Sequence, residues 1–284
     1  MSRALVLGGG GPVGIAWESG LLVGLATAGV DLSAADLVLG TSAGSNVGAR
    51  VRLGEDLSTV VDGVAVSRVG EHVDSTPGES PMMARIEALL VAQMEAAALE
   101  DEEAARAHIG AFALSVDVGP EERFLALFDN FADAAWPEGF ACTAIDAVSG
   151  EFVVWEQRSG VPLRSAVASS CAVPGIFPPI TIDGRRYYDG GLRTATNADL
   201  ATGHDAVVVI SCMSREMPGS TLVAEVEGLR EGGARVELVE PDQPFLELSG
   251  GGLNLMDASL AHDAYAMGLA LGQLSAERLG QIWS

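Results

Sequence analysis

Leu37-Val38-Leu39-Gly40-Thr41-Ser42-Ala43-Gly44 is the stretch that decides how this chain reads. Three apolar residues in a row suit a strand buried on both faces. A glycine-flanked serine follows at once, and Ser45 to Leu53 then reads as helix. Strand, sharp turn, helix is the context in which G-x-S-x-G presents a nucleophilic serine. Such a turn strains the serine backbone and crowds neighbouring main chain, so side chains at Gly40 and Gly44 would clash. The helix start beside Ser42 also favours negative charge developing there.

On the N-terminal side, Ala4-Leu5-Val6-Leu7 is another buried strand, and Gly14 to Ala28 has helical spacing that stops before Gly29. Strand–helix–strand–helix favours a parallel sheet with right-handed crossovers. On the C-terminal side the texture changes between Asp56 and Ala135. Pro81 to Ala107 is rich in Ala, Glu, Leu and Met at helical spacing, Pro120 opens a further helix, and Thr76 to Ser80 reads as a mobile loop. Residues 56–135 are therefore expected to form a helical insertion, either a lid or a plain helical layer. Strands resume at Phe140–Ala147 and Phe152–Glu156, and Leu163–Ser170 reads as a short helix. Ile180–Ile182 and Arg186–Tyr188 flank Asp183-Gly184, a hairpin signal. Ala206–Ser211 and Val236–Val239 read as strands, and Leu222–Glu231 and Met256–Leu279 as helices. One α/β domain over residues 1–284 is the simplest account.

The first strand runs into Gly8-Gly9-Gly10-Gly11-Pro12-Val13-Gly14. Read literally, Gly9 to Gly14 is also G-x-G-x-x-G, which suggests a dinucleotide site. That fold wants an acidic residue closing its second strand, where this chain has Gly40-Thr41-Ser42. An oxyanion hole explains the glycines better, since exposed N–H groups at a helix start hold negative charge. Its expected donors come from Gly9, Gly10, Gly11 and Ala43, with Gly10 and Gly11 foremost. Pro12 has no N–H.

Tyr188-Asp189-Gly190-Gly191 reads in isolation as an ordinary turn. Its company raises its interest, because an elbow serine needs a base. The four histidines are His72, His108, His204 and His262. A triad in the order serine, acid, histidine would have to use His204, in a Gly-His-Asp turn, or His262, in an Ala-rich helical stretch.

Composition narrows the partners. Sixteen Lys and Arg against 39 Asp and Glu give a net charge of −23, which repels nucleic acid and anionic headgroups alike. Contact with a membrane would then be transient and local, through an apolar patch. Cys142, Cys171 and Cys212 are scattered in apolar contexts without metal-ligand spacing. They are expected to be buried thiols in a reducing, cytoplasmic setting. No metal site and no cofactor are expected.

With its motifs in this order, the chain resembles the patatin-like phospholipases. The matching residues are Gly9-Gly10-Gly11-Pro12-Val13-Gly14, Gly40-Thr41-Ser42-Ala43-Gly44, Asp189-Gly190-Gly191, and the preceding Ala168-Ser169-Ser170-Cys171-Ala172-Val173-Pro174-Gly175-Ile176-Phe177-Pro178-Pro179. The likeness spans Ala4 to about Asn197. One departure is Val13, where the family often carries Lys or Arg. The resemblance implies a three-layer α/β fold with a mostly parallel central sheet and helices on both faces. It also implies a Ser42–Asp189 dyad that cleaves fatty-acyl esters without a histidine, and a lipid or ester substrate. Asp189 would then need a raised pKa to act as base near neutrality, which burial supplies. The Ala168–Pro179 segment would line the acyl channel or brace the dyad.

Overall fold

A computed structural model describes residues 1–66, 81–217 and 219–283. In chain order the regular elements are β1 (Arg3–Leu7), α1 (Gly11–Thr27), β2 (Leu37–Gly40), α2 (Ala43–Leu53), α3 (Val60–Val66), α4 (Pro81–Ala96), α5 (Glu102–Ser115), α6 (Glu121–Leu125), β3 (Phe140–Asp146), β4 (Phe152–Glu156), α7 (Leu163–Ser170), β5 (Ile180–Ile182), β6 (Arg185–Asp189), β7 (Ala206–Ile210), α8 (Leu222–Glu231), β8 (Arg235–Val239), α9 (Gln243–Leu248) and α10 (Ala261–Trp283). The chain divides into two compact units. One comprises Met1–Ser67, Pro137–Cys142 and Thr194–Ser284, the other Arg68–Trp136 and Thr143–Arg193. The expected insertion over 56–135 matches neither unit, since its first residues belong with the first one.

The first unit is built on parallel strands. β1 lies between β2 and β7, with Leu7 opposite both Gly40 and Ile210, and β8 extends the sheet beyond β7. Phe140–Cys142 of β3 pairs in parallel with β2. Every residue of β7 and all but the first of β1 are buried, the pattern of strands covered on both faces. Trp17 of α1 packs its indole 5.0 Å from the ring of Phe245 in α9.

α1 and α10 meet glycine to backbone. A methyl at Gly20 would lie 2.1 Å from the Tyr265 carbonyl oxygen, and one at Gly24 would lie 2.2 Å from that of Leu269. Reciprocally, methyls at Gly268 and Gly272 would lie 2.1 Å and 2.2 Å from the carbonyl oxygens of Trp17 and Leu21. Four-residue glycine spacing on both helices permits this approach, as in small-xxx-small helix pairs. The contacts advance along both chains together, so the helices run parallel.

In the second unit the ladders are antiparallel. Ala144 of β3 faces Asp189 of β6, and β6 returns to β5 through Asp183-Gly184. Both turn residues have positive φ, 50° and 79°, which suits the twist of a two-residue hairpin. α5 packs on the end of β3, where a methyl at Gly110 would lie 2.1 Å from the Ala147 oxygen. Leu89, Ala96, Ile109, Ile145, Ala147 and Tyr188 form the core there.

Several expected boundaries move. α1 begins at Gly11 rather than Gly14, because Pro12 fits a first turn. Pro81–Ala107 is broken between α4 and α5, where the Asp101 carboxylate accepts the Ala104 N–H at 2.8 Å and caps a new helix. α10 starts at Ala261, not Met256, behind a 3-10 turn capped by Asp257. None of the cysteines forms a disulfide, and Cys171 is only half-buried where burial was expected. The expected loop Thr76–Ser80 and His72 lie outside the described residues. Among the described residues no helix is long and apolar enough to cross a membrane.

Candidate active site

The elbow forms where β2 gives way to α2. Ser42 has φ 53° and ψ −118°, outside the regions open to most side chains. The turn is tight enough to exclude side chains on either flank. A methyl at Gly40 would lie 2.4 Å from the Gly44 oxygen, and one at Gly44 would lie 2.2 Å from the Leu7 oxygen. Ser42 occupies the N-cap of α2, yet its hydroxyl makes no capping bond to that helix. Ser45 donates its hydroxyl hydrogen to the Ser42 carbonyl oxygen at 2.6 Å, which ties the strained residue down.

Most N–H groups at the starts of α1 and α2 are already bonded. Val13 donates to the Leu255 oxygen at 3.2 Å and Gly14 to that of Gly10 at 2.7 Å. Gly44 donates to Gly8 and Thr41, and Ser45 to Ser42. Among the described residues no acceptor is paired with the N–H of Gly10, Gly11 or Ala43. These are the orphan donors that a helix start leaves over. Gly9 is a correction. Its N–H donates to the Ala195 oxygen at 2.8 Å, so it is not available to an oxyanion. Gly9 instead lies against Ser42, since a methyl on it would lie 3.5 Å from Ser42 Cβ. Gly11 sits at φ 57°, a left-handed value that favours glycine.

Beneath the glycine loop lies a group that sequence reading passed over. Glu18 of α1 is fully buried. Its Oε1 accepts from the Cys212 thiol at 3.8 Å, and Oε2 has no hydrogen-bond partner. Burial pushes its carboxyl well above the usual range, opposed only in part by the Cys212 thiol and the Gly8 backbone. Burial likewise raises the Cys212 thiol, with the Glu18 carboxyl adding to it. The same sulfur would lie 2.7 Å from a methyl on Gly10 and 3.1 Å from one on Gly14, so it fills the space those glycines leave. The available signal was a lone acid in a helix that is apolar apart from Ser19 and Thr27.

Asp189 ends β6 in the second unit and is 2% exposed. Its N–H donates to the Ala172 oxygen at 3.1 Å, so the Ala168–Pro179 segment braces its backbone. Its Oδ1 accepts the Gly191 N–H at 2.8 Å, capping a short 3-10 turn. Gly190 is required by space, because a methyl there would lie 2.2 Å from Thr143 Oγ1. The neighbouring Tyr188 is fully buried, with its hydroxyl donating to the Arg106 oxygen at 2.7 Å, and burial pushes its phenol up.

The histidines are occupied differently. His262 lies on the exposed start of α10 with Nε2 3.2 Å from Asp62 of α3. His204 places Nδ1 2.9 Å from the Ala201 oxygen inside its own turn. His108 pairs with Glu95 across α5 and α4 of the second unit. Among the described residues no group of three or more His, Cys, Asp or Glu could hold a metal ion.

Comparison with known proteins adds the following. VipD from Legionella pneumophila is similar over 95% of this chain and 67% of its own, at 14% identity and a TM-score of 0.43. The type III effector protein ExoU is similar over 96% of this chain, at 16% identity and a TM-score of 0.40. This chain spans about half of ExoU's length, 54%. No curated protein sequence matches. The family model described as patatin-like phospholipase matches residues 5–202, a stretch that contains the glycine loop, the elbow and Asp189-Gly190-Gly191. The chain belongs to the patatin-like phospholipase family.

Proposed function

We propose that this chain is a lipid acyl hydrolase that cleaves fatty-acyl esters through Ser42 and Asp189. The observation that carries the reading is the elbow itself. A buried serine is held at φ 53° and ψ −118° at the start of α2, and a methyl on Gly9 of the glycine loop would lie 3.5 Å from its Cβ. Strain of this kind persists where the surrounding structure over-determines it, as at nucleophiles.

In the proposed cycle Asp189 takes the proton of Ser42 Oγ as the oxygen attacks the ester carbonyl. The N–H groups of Gly10, Gly11 and Ala43 receive the developing oxyanion, and one such donor is worth about 2.7–4 kcal/mol of barrier. The leaving alcohol takes the proton from Asp189, and an acyl ester remains on Ser42. Water, deprotonated by Asp189, then attacks the acyl carbon, the bond to Ser42 Oγ breaks to release the fatty acid, and Asp189 gives the proton to Ser42 Oγ. The excess of acidic side chains favours uncharged or zwitterionic lipid over anionic lipid. The hydrogen bonds of His204 and His262 support a reading without histidine.

The test is reaction with a fluorophosphonate, in which the Ser42 oxygen displaces fluoride and the protein gains the phosphonyl mass. Wild type should label once, at Ser42, and hydrolyse a soluble fatty-acyl ester. Ser42→Ala should do neither, and Asp189→Asn should label about 100-fold or more slower. His204→Ala and His262→Ala should label like wild type. Normal labelling of Asp189→Asn would remove Asp189 from the mechanism.

A further inference from the structure

The segment Thr194–Ala198 touches both halves of the serine's surroundings. On one side the Ala195 oxygen accepts the Gly9 N–H at 2.8 Å, and Thr196 Cγ2 would lie 3.1 Å from a methyl on Gly8. On the other side Asn197 Nδ2 donates to Thr41 Oγ1 at 3.1 Å, one residue before the nucleophile. Thr41 in turn aims its hydroxyl at the Thr196 oxygen at 3.4 Å. Asn197 and Thr41 are both fully buried.

The segment is itself pinned. Asn197 has a left-handed backbone, φ 50° and ψ 36°, a conformation Asn tolerates better than most residues. Its N–H donates to Thr194 Oγ1 at 2.7 Å, and its second amide hydrogen goes to the Thr194 oxygen at 3.0 Å. Glu225 of α8 anchors the far side. Its Oε2 accepts from Thr196 Oγ1 and from the Ala198 N–H, each at 2.7 Å. A buried amide with both hydrogens committed fixes its acceptors tightly, because an alternative position leaves a donor unsatisfied.

We infer that Asn197 is a positioning residue, through which the Thr194–Ala198 segment holds the elbow in register with the glycine loop. The inference rests on the Ser42 reading above. The loop must present its N–H groups where the oxyanion forms, and the elbow must present Oγ to the same carbon. A misplacement of about 1 Å between such groups costs about 100-fold in rate. In this role Asn197 acts through Thr41 and the Thr194–Ala198 segment, so its loss should slow chemistry more than it weakens binding.

The experiment compares Asn197→Gly, Thr41→Val and Thr41→Ser with wild type. Glycine adopts the left-handed backbone freely, so that substitution removes the amide and keeps the turn. Valine removes the acceptor at nearly constant shape, and serine keeps it. Hydrolysis of a soluble acyl ester is measured per active site, counted by fluorophosphonate labelling at completion. Asn197→Gly and Thr41→Val should lose about 10- to 100-fold in kcat with KM changed by less than about threefold. Thr41→Ser should stay within about threefold of wild type. Combining Asn197→Gly with Thr41→Val should cost no more than either alone. If Asn197→Gly does not fold, the contrast between Thr41→Val and Thr41→Ser reads the same bond. Full kcat per labelled site in Asn197→Gly, or equal activity of the two Thr41 variants, overturns the inference while leaving Ser42 as nucleophile. A wild type that neither labels nor turns over overturns the proposed function and the inference with it.

Discussion

Gly44 in the elbow and Gly184 in the β5–β6 hairpin are both turn glycines, and they are glycines for opposite reasons. Around Gly44 there is no room, with the Leu7 oxygen 2.2 Å from where a methyl would stand. Around Gly184 nothing lies within 4 Å, and only its φ of 79° asks for glycine. The same contrast holds for charge. The region of the glycine loop and elbow buries Glu18 completely, whereas the hairpin leaves Asp183 in water. A glycine demanded by space marks backbone packed on backbone. A glycine demanded by dihedral angle marks only a change of direction.

The comparison can be broken at its strongest point first. Gly44→Ala should cost more than about 3 kcal/mol, since a backbone oxygen cannot rotate away as a side chain does. Little soluble protein should be recovered, and what is recovered should not label at Ser42. A melting midpoint within about 2 °C of wild type would show that the crowding is relieved at no cost.

The charge contrast is the middle case, and its sign follows from linkage. Glu18 titrates higher when folded than its ordinary value of about 4.3. Stability from keeping it neutral is complete below that ordinary value and is lost as pH rises toward the folded one. Glu18→Gln should therefore gain on wild type as pH rises above the ordinary carboxylate range. Parallel curves for Glu18→Gln and wild type would mean that Glu18 titrates alike folded and unfolded. The smallest effect belongs to Gly184→Ala, which should cost about 1 kcal/mol through its left-handed backbone and leave Ser42 labelling unchanged.

Much of this could be read in the sequence where backbone demands are local. Leu37–Gly44 announces its strand, turn and helix because apolar burial and glycine spacing act within a few residues. Asp183-Gly184 is as plain. The break between α4 and α5 was missed because Ala- and Glu-rich sequence continues through it. The Asp101 cap, followed by Glu102 and Glu103, was nonetheless there to be found. Gly9 was counted among the oxyanion donors because sequence cannot show that Ala195, far along the chain, accepts its N–H. Asn197 and Glu18 escaped for the same reason. The partners of Asn197 include Thr41, 156 residues away, and Cys212 is 194 residues from Glu18.

The glycine pairs between α1 and α10 act as a ratchet with a single tooth engaged. Side-chain interfaces can shear, because flexible chains find new rotamers as the helices slip. Main chain laid against main chain has no such slack, and a slip of one turn would drive Tyr265 or Leu269 carbonyls into residues larger than glycine. The axial position of α1 is thereby indexed to the last helix of the fold. Because α1 begins at Gly11, that index carries through to the glycine loop, and a change on α10 as small as Gly268→Ala should be felt at the start of α1.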